Sequence, residues 1–150
     1  MDAKSSYREA AVRGASPVKL VIFLYEQAIE DLRRAVIALE KGDIEARTRA
    51  INHALDVIAQ LQGTLDMKRG GEVARNLQQF YHVTRASLIE AQLKQSARIL
   101  ERKIEQLVLV REAWLEVDVA TTQPALPSGK SAQSPPTVSS QEISCSEWDA

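Results

Sequence analysis

Cysteine is almost missing from this chain: its 150 residues hold one, Cys145. A single thiol excludes an internal disulfide and leaves a metal cluster without its usual ligands. Proline is missing between Pro17 and Pro124, so that long stretch contains no residue that removes a helical N–H donor. Aromatic residues make up 5%, and a core must therefore be aliphatic. Long apolar runs are missing as well. The longest, Leu20 to Tyr25, is far below the roughly 18 residues that a membrane span needs. The opening Met1-Asp2-Ala3-Lys4-Ser5-Ser6 lacks the basic-then-apolar order of a signal peptide. A net charge of −1 supplies no broad field for nucleic acid or for cations. These absences lead us to expect a protein of the reducing cytosol, with no nucleic-acid partner and no direct membrane insertion.

What is present divides in two. Apolar residues reach 45%, but the composition changes near Val119. Beyond it, Ser, Thr, Gln and Pro dominate, with Pro124, Pro127, Pro135 and Pro136 among them. Such a segment buries too little apolar surface to offset its ordering entropy. Residues 119–150 are therefore expected to be a flexible, disordered tail. Ile143, Cys145 and Trp148 are read as part of that unstructured end rather than as a docking motif. The tail holds Lys130 against Glu142, Glu147 and Asp149, a net −2, which leaves +1 for residues 1–118.

Residues 1–118 read as four amphipathic helices. Ser16-Pro17 offers an N-cap followed by proline at the first helical position. Leu20, Val21, Leu24, Tyr25, Ala28, Leu32, Ala35, Val36 and Leu39 then recur at three- and four-residue spacing, which is one apolar stripe. Gly42 closes that helix. Asp43 caps a second, with the stripe Ala50, Ile51, Ala54, Ile58, Leu61 and Leu65. Lys68-Arg69-Gly70-Gly71 connects it to a third, marked by Val73, Ala74, Leu77, Phe80, Tyr81, Thr84, Leu88 and Ala91. A break at Lys94-Gln95-Ser96, with Ser96 as cap, precedes a fourth carrying Ile99, Leu100, Ile104, Leu107, Val108, Trp114 and Leu115. Near-equal lengths and short connections predict an all-α fold, an antiparallel up-down four-helix bundle. Ser6 to Arg13 adds a short N-terminal helix or arm.

Catalytic patterns are thin. A di-iron bundle needs Glu-x-x-His pairs, but Ala50 and Gln79 stand three residues before His53 and His82. Both histidines read as surface or boundary residues. A histidine phosphotransfer bundle needs an exposed His with basic and small neighbours. His82, with Arg85 and Ala86, offers that only loosely, and the His-x-Leu-Lys-Gly pattern is absent. Glu30-Asp31 and Glu101/Glu105 read as solvated outer faces. Gly70-Gly71 lacks the Gly-Lys-Ser/Thr ending of a phosphate loop. No enzyme and no cofactor is expected.

Surplus apolar residues carry more information. Val18, Ile22, Phe23, Ile29 and Ile37 lie off the first stripe, Phe80, Val83 and Ile89 at the edge of the third, and Val108-Leu109-Val110 in succession on the fourth. A bundle core takes about three positions per heptad. The excess predicts apolar grooves fit for a partner's amphipathic helix, or else a widened core.

Ser16-Pro17-Val18-Lys19-Leu20-Val21, continued by Phe23-Leu24-Tyr25-Glu26-Gln27-Ala28, resembles the opening helix of FliS, the flagellar secretion chaperone family. Gly70-Gly71-Glu72-Val73-Ala74-Arg75-Asn76-Leu77, followed by Phe80-Tyr81, is similar to that family's third-helix signature. Tyr7, Leu65-Asp66 and Trp114 extend the likeness over residues 5–117. Gln27, Val18 and Gln92 depart from it. The resemblance implies a cytosolic export chaperone that binds the disordered C-terminal segment of flagellin, prevents premature polymerisation and aids delivery to an export-gate component of the flagellar type III apparatus. A homo-oligomer is compatible with it. An unrelated helical adaptor or a phosphotransfer-type signalling bundle is the alternative. The partner-binding residues it implies are Tyr7, lying over a groove until the client arrives, Ile22 and Tyr25 on a groove wall, Asn76 bonding client backbone, and Leu77, Phe80, Tyr81 and Trp114 as further groove residues. Tyr7 reads equally well as a packing residue, Tyr25 more readily as core, and Asn76 equally well as solvated.

Overall fold

The computed structural model describes residues 16–122, with side chains through residue 120. Among the described residues there are four helices and no strand: α1 (Pro17–Lys41), α2 (Ile44–Gly63), α3 (Gly71–Lys94) and α4 (Ala97–Thr122). They are 25, 20, 24 and 26 residues long. At about 1.5 Å per residue, all span roughly the same height. The arm holding Tyr7 and the tail holding Cys145 and Trp148 lie outside the described residues.

Most of the boundaries have a local cause. The Ser16 hydroxyl accepts the Lys19 N–H at 3.2 Å, and Asp43 accepts the Ala46 N–H at 3.0 Å. These are the side-chain caps that free N–H groups require. Gly42 closes α1 at φ 72°, a left-handed backbone that glycine adopts without a Cβ penalty. The end of α3 uses the same backbone without a glycine: Gln95 sits at φ 52°. Ser96 then caps α4 by accepting the Ile99 N–H at 3.2 Å. α2 stops at Gly63, so Leu65, expected on its stripe, belongs to the following turn. There the Asp66 carboxylate accepts the N–H groups of Lys68 (3.1 Å) and Arg69 (3.0 Å).

Side-chain pairs fix the arrangement. Gln62 meets Arg85 and Thr48 meets Gln92, so α2 and α3 run in opposite directions. Asp31 meets His53 across α1 and α2. Arg111 reaches Glu26 at 3.9 Å across α4 and α1, and Lys103 lies over Phe80 across α4 and α3. α1 and α3 meet through Tyr25 and Tyr81. This is the up-down four-helix bundle that the stripes predict.

Leu24, Leu32, Ile58, Leu61, Leu88, Leu100 and Leu107 are fully buried, with Tyr25, Ala28 and Ala54 filling the narrower gaps. α1 is buried over a wider arc than one stripe, because it touches the other three helices. Ile22 (7% exposed) and Ile29 (1%) therefore belong to the interior; Ile37, at 51%, stays outside. Asp31, read from sequence as solvated, is 2% exposed. Val73, expected on the α3 stripe, is 66% exposed because it lies at the mouth of an open cleft while its neighbour Ala74, at 3%, takes the inward position. The compact unit that carries the bundle ends at Glu116. The closing turns of α4, Val117–Thr122, belong to a second unit.

Candidate functional site

α3 has an open apolar recess on each side. The first is a cleft of about 290 Å³ at one end of the bundle. Val18 and Val21 enter from the start of α1, Leu65 and Gly70 from the α2–α3 turn, Val73, Leu77 and Tyr81 from α3, and Trp114 from α4. The turn fits because Asp66 folds it back on itself and Gly70 lets it pass close to α3. A Cβ on Gly70 would lie 2.5 Å from the Ala74 Cβ and 2.7 Å from the Asp66 carbonyl oxygen.

The cleft floor is an aromatic network. The Tyr25 and Tyr81 hydroxyls are 2.8 Å apart, with ring centroids 6.2 Å apart and planes inclined by 56°. Trp114 lines the same cleft beside Tyr81. Burial pushes both phenols up from their usual range, Tyr81 the further because the Tyr25 oxygen lies against it.

The second recess is a groove of about 410 Å³ between α3 and α4. Gln79, Phe80 and Val83 line one wall, and Lys103, Gln106, Leu109 and Val110 the other. Leu109 is 70% exposed and Val83 44%. At about 25 cal/mol per Å², covering such side chains is a real driving force.

The expected partner-binding residues fall into distinct places. Leu77, Tyr81 and Trp114 come together in the end cleft, and Phe80 lies in the α3–α4 groove. Tyr25 is 0% exposed and Ile22 7%, so both stand behind the surface as support. Tyr81, at 1%, shows the cleft little more than an edge. Asn76 is exposed on α3 and lines neither recess. Tyr7 lies outside the described residues.

Sequence reasoning missed three polar groups. Lys103 is 6% exposed inside the groove. Arg47, 6% exposed, donates to the Gln92 side-chain oxygen at 3.1 Å, and the Gln92 amide donates to the Thr48 hydroxyl at 2.7 Å. Gln92 is one of the departures from the family pattern noted above, and here it ties α2 to α3. The third is Asp31, whose carboxylate lies 2.6 Å from His53 Nδ1 and 3.5 Å from Arg34. The pair lines a hollow of about 540 Å³ with Arg34, Arg49, Asn52 and Asp56. This hollow is charged and supplies no Ser, Thr or Cys nucleophile. His53 Nδ1 is engaged with Asp31, and its Nε2 is buried without a partner. Neither ring nitrogen is open to a phosphodonor.

Burial pushes the Asp31 carboxyl up, against the pull of His53 and Arg34. A carboxyl raised in the folded state supports the fold most fully below its unfolded pKa, near 3.8. That support is lost as pH climbs through the raised folded value. Asp31→Asn keeps an acceptor for His53 and removes the buried charge. Its melting temperature should match the original near pH 3 and exceed it increasingly toward pH 7. An Asp31→Asn protein that melts lower at pH 7 would show that the His53 pair outweighs desolvation.

Comparison with known proteins gives a consistent picture. Residues 1–121 match a family profile described as flagellar protein FliS. The chain is similar to the flagellar secretion chaperone FliS of Salmonella typhimurium, 36% identical over 110 residues, covering 73% of this chain and 82% of that protein. It is 33% identical to flagellar secretion chaperone FliSB of Pseudomonas aeruginosa over 71% of this chain and 84% of that one. To the Vibrio cholerae FliS chaperone it is 31% identical, over 73% and 80%.

Proposed function

Since the chain belongs to the FliS family, we propose that it is a flagellar export chaperone whose client is the C-terminal segment of flagellin, held on both sides of α3. The client segment adds amphipathic helical turns to the two recesses, is kept from premature polymerisation, and is passed to a component of the export gate. The work is done in the cytosol. No cofactor or chemical step is needed.

One observation carries this reading: α3 is apolar and open on both flanks. Val73 and Leu77 face the end cleft, and Phe80 and Val83 the groove. Val73 and Val83 are ten residues apart, about 15 Å along the helix. A rigid partner docking from one direction reaches one flank; a segment that folds as it binds can wrap around and cover both. Ordering such a segment consumes part of the interaction energy, which keeps a wide surface reversible. Reversibility suits a chaperone that must release its client.

Calorimetric titration with a peptide of the flagellin C-terminal segment tests this. Val73→Asp and Leu109→Asp alter exposed side chains, so their helical circular dichroism should stay native. Each should weaken binding about tenfold or more, since a charge buried without a partner costs more than 1.4 kcal/mol. Absence of heat with the unaltered protein would end the flagellin assignment. Unaltered affinity in both variants would move the site off α3.

A further inference from the structure

Lys103 has a place in the α3–α4 groove that packing alone does not explain. It is 6% exposed and, among the described residues, the one charged side chain lining the groove. Its Nζ stands 5.9 Å from the Phe80 ring centroid and donates to the Gln106 side-chain oxygen at 2.8 Å. An ammonium has three N–H donors. Gln106 takes one, and the ring face offers a weak electrostatic contact. No carboxylate among the described residues lies within ion-pairing distance of Nζ. Loss of hydration, with Arg102 nearby, pushes its pKa down. Buried cations are ordinarily paired, because an unpaired one gives up hydration without return. Among the described residues that return is missing, and Nζ sits between Phe80 and Gln106 in a groove lined by exposed Val83 and Leu109.

We propose that Lys103 is a specificity-determining residue of the groove, and that it receives an Asp or Glu side chain of the client's amphipathic helix, set among the aliphatic residues that cover Val83 and Leu109. This rests on the chaperone reading and adds a chemical requirement to it. The occupant needs a carboxylate in helical register, three or four residues from its apolar anchors. A purely aliphatic helix fills the groove but leaves the ammonium desolvated and unpaired, so the groove discriminates against it.

The test uses the full chain and the flagellin C-terminal peptide. Lys103→Met keeps the length of the stem and removes the charge; Lys103→Arg keeps the charge. Lys103→Met should weaken binding about 30-fold, as expected for loss of one partner of a buried charge pair, and Lys103→Arg should restore most of it. Changing the peptide's acidic residues to amides one at a time should find one position that matters with Lys103 and no longer matters with Lys103→Met. A native melting profile for Lys103→Met excludes loss of fold as the cause. Equal affinity of Lys103→Met and the original, with Leu109→Asp still defective, overturns this inference and leaves the chaperone reading standing. A peptide that never binds the original protein removes both. A self-association of the chain that Lys103→Met abolishes would give the groove to a second copy and overturn the assignment to client.

Discussion

Tyr81→Ala should cost about 3–5 kcal/mol of stability, the range for removing a large buried ring. Tyr81 is 1% exposed, packs its ring 5.8 Å from Phe80 and 6.2 Å from Tyr25, and shares a 2.8 Å hydroxyl contact with Tyr25. Against a typical total of about 5–15 kcal/mol, that loss brings the bundle near its limit. Tyr81→Phe keeps the ring and removes the hydroxyl. It leaves a buried Tyr25 oxygen without Tyr81 and should cost about 1–3 kcal/mol. The pair Tyr25→Phe/Tyr81→Phe should cost less than the sum of the two single changes, because no half of the contact is then stranded. Urea titration reads all four proteins as a fall in midpoint at constant slope. Additive losses in the double variant would show that the hydroxyls do not act as a pair. The alkaline limb follows the same logic. Both phenols are raised in the folded state, so their support is complete below about pH 10 and is lost above it. The double variant should hold its stability further into that range.

This result also governs how binding data are read. Residues that look like groove residues in sequence include structural ones. A client that no longer binds Tyr81→Ala has lost the bundle's end as well as a contact. Leu109 and Val73, 70% and 66% exposed, report on binding alone.

The helices were legible because their causes are local. Ser16, Gly42 and Asp43 act within a turn of where they stand, and stripe periodicity needs no knowledge of neighbours. The α3–α4 break was harder to read because Gln95 takes a backbone that usually announces itself with glycine. The site was legible only as a surplus. Three- and four-residue spacing separates an apolar face from a polar one, but it does not say which of two adjacent apolar faces meets another helix. Ile22 and Ile29 became interior because α1 has three neighbours, and Val83 and Leu109 stayed open because nothing among the described residues crosses the α3–α4 groove. Asp31 and Lys103 gave no sequence signal. Each is a charged residue on an amphipathic helix like many others, and only the helices packed against it remove its water.

The α2–α3 connection should separate three glycines by sign. At Gly70 the backbone is ordinary, φ −74° and ψ −14°, so conformational freedom is not why glycine stands there. Space is. A new Cβ would meet the Ala74 Cβ at 2.5 Å and the Asp66 carbonyl oxygen at 2.7 Å. The Ala74 carbon is fixed to its backbone, and the Asp66 oxygen already accepts the Gly70 N–H at 2.7 Å. Neither yields unless the turn opens. Gly70→Val should therefore cost about 3 kcal/mol, at the upper end for an overpacked position, and Gly70→Ala somewhat less. Gly71 has open space but sits at φ 57°, so Gly71→Ala should cost about 1–2 kcal/mol of backbone strain. Gly63 ends α2 with nothing within 4 Å of its added Cβ. Gly63→Ala should stabilise by about 0.5–1 kcal/mol, since alanine loses less freedom in a helix. Thermal melts of the three variants give the order directly. A Gly70→Val protein that melts like the original would mean that the turn has slack. Asp66 and Gly70 would then no longer be what holds the wall of the end cleft against α3, and client binding there should survive the change untouched.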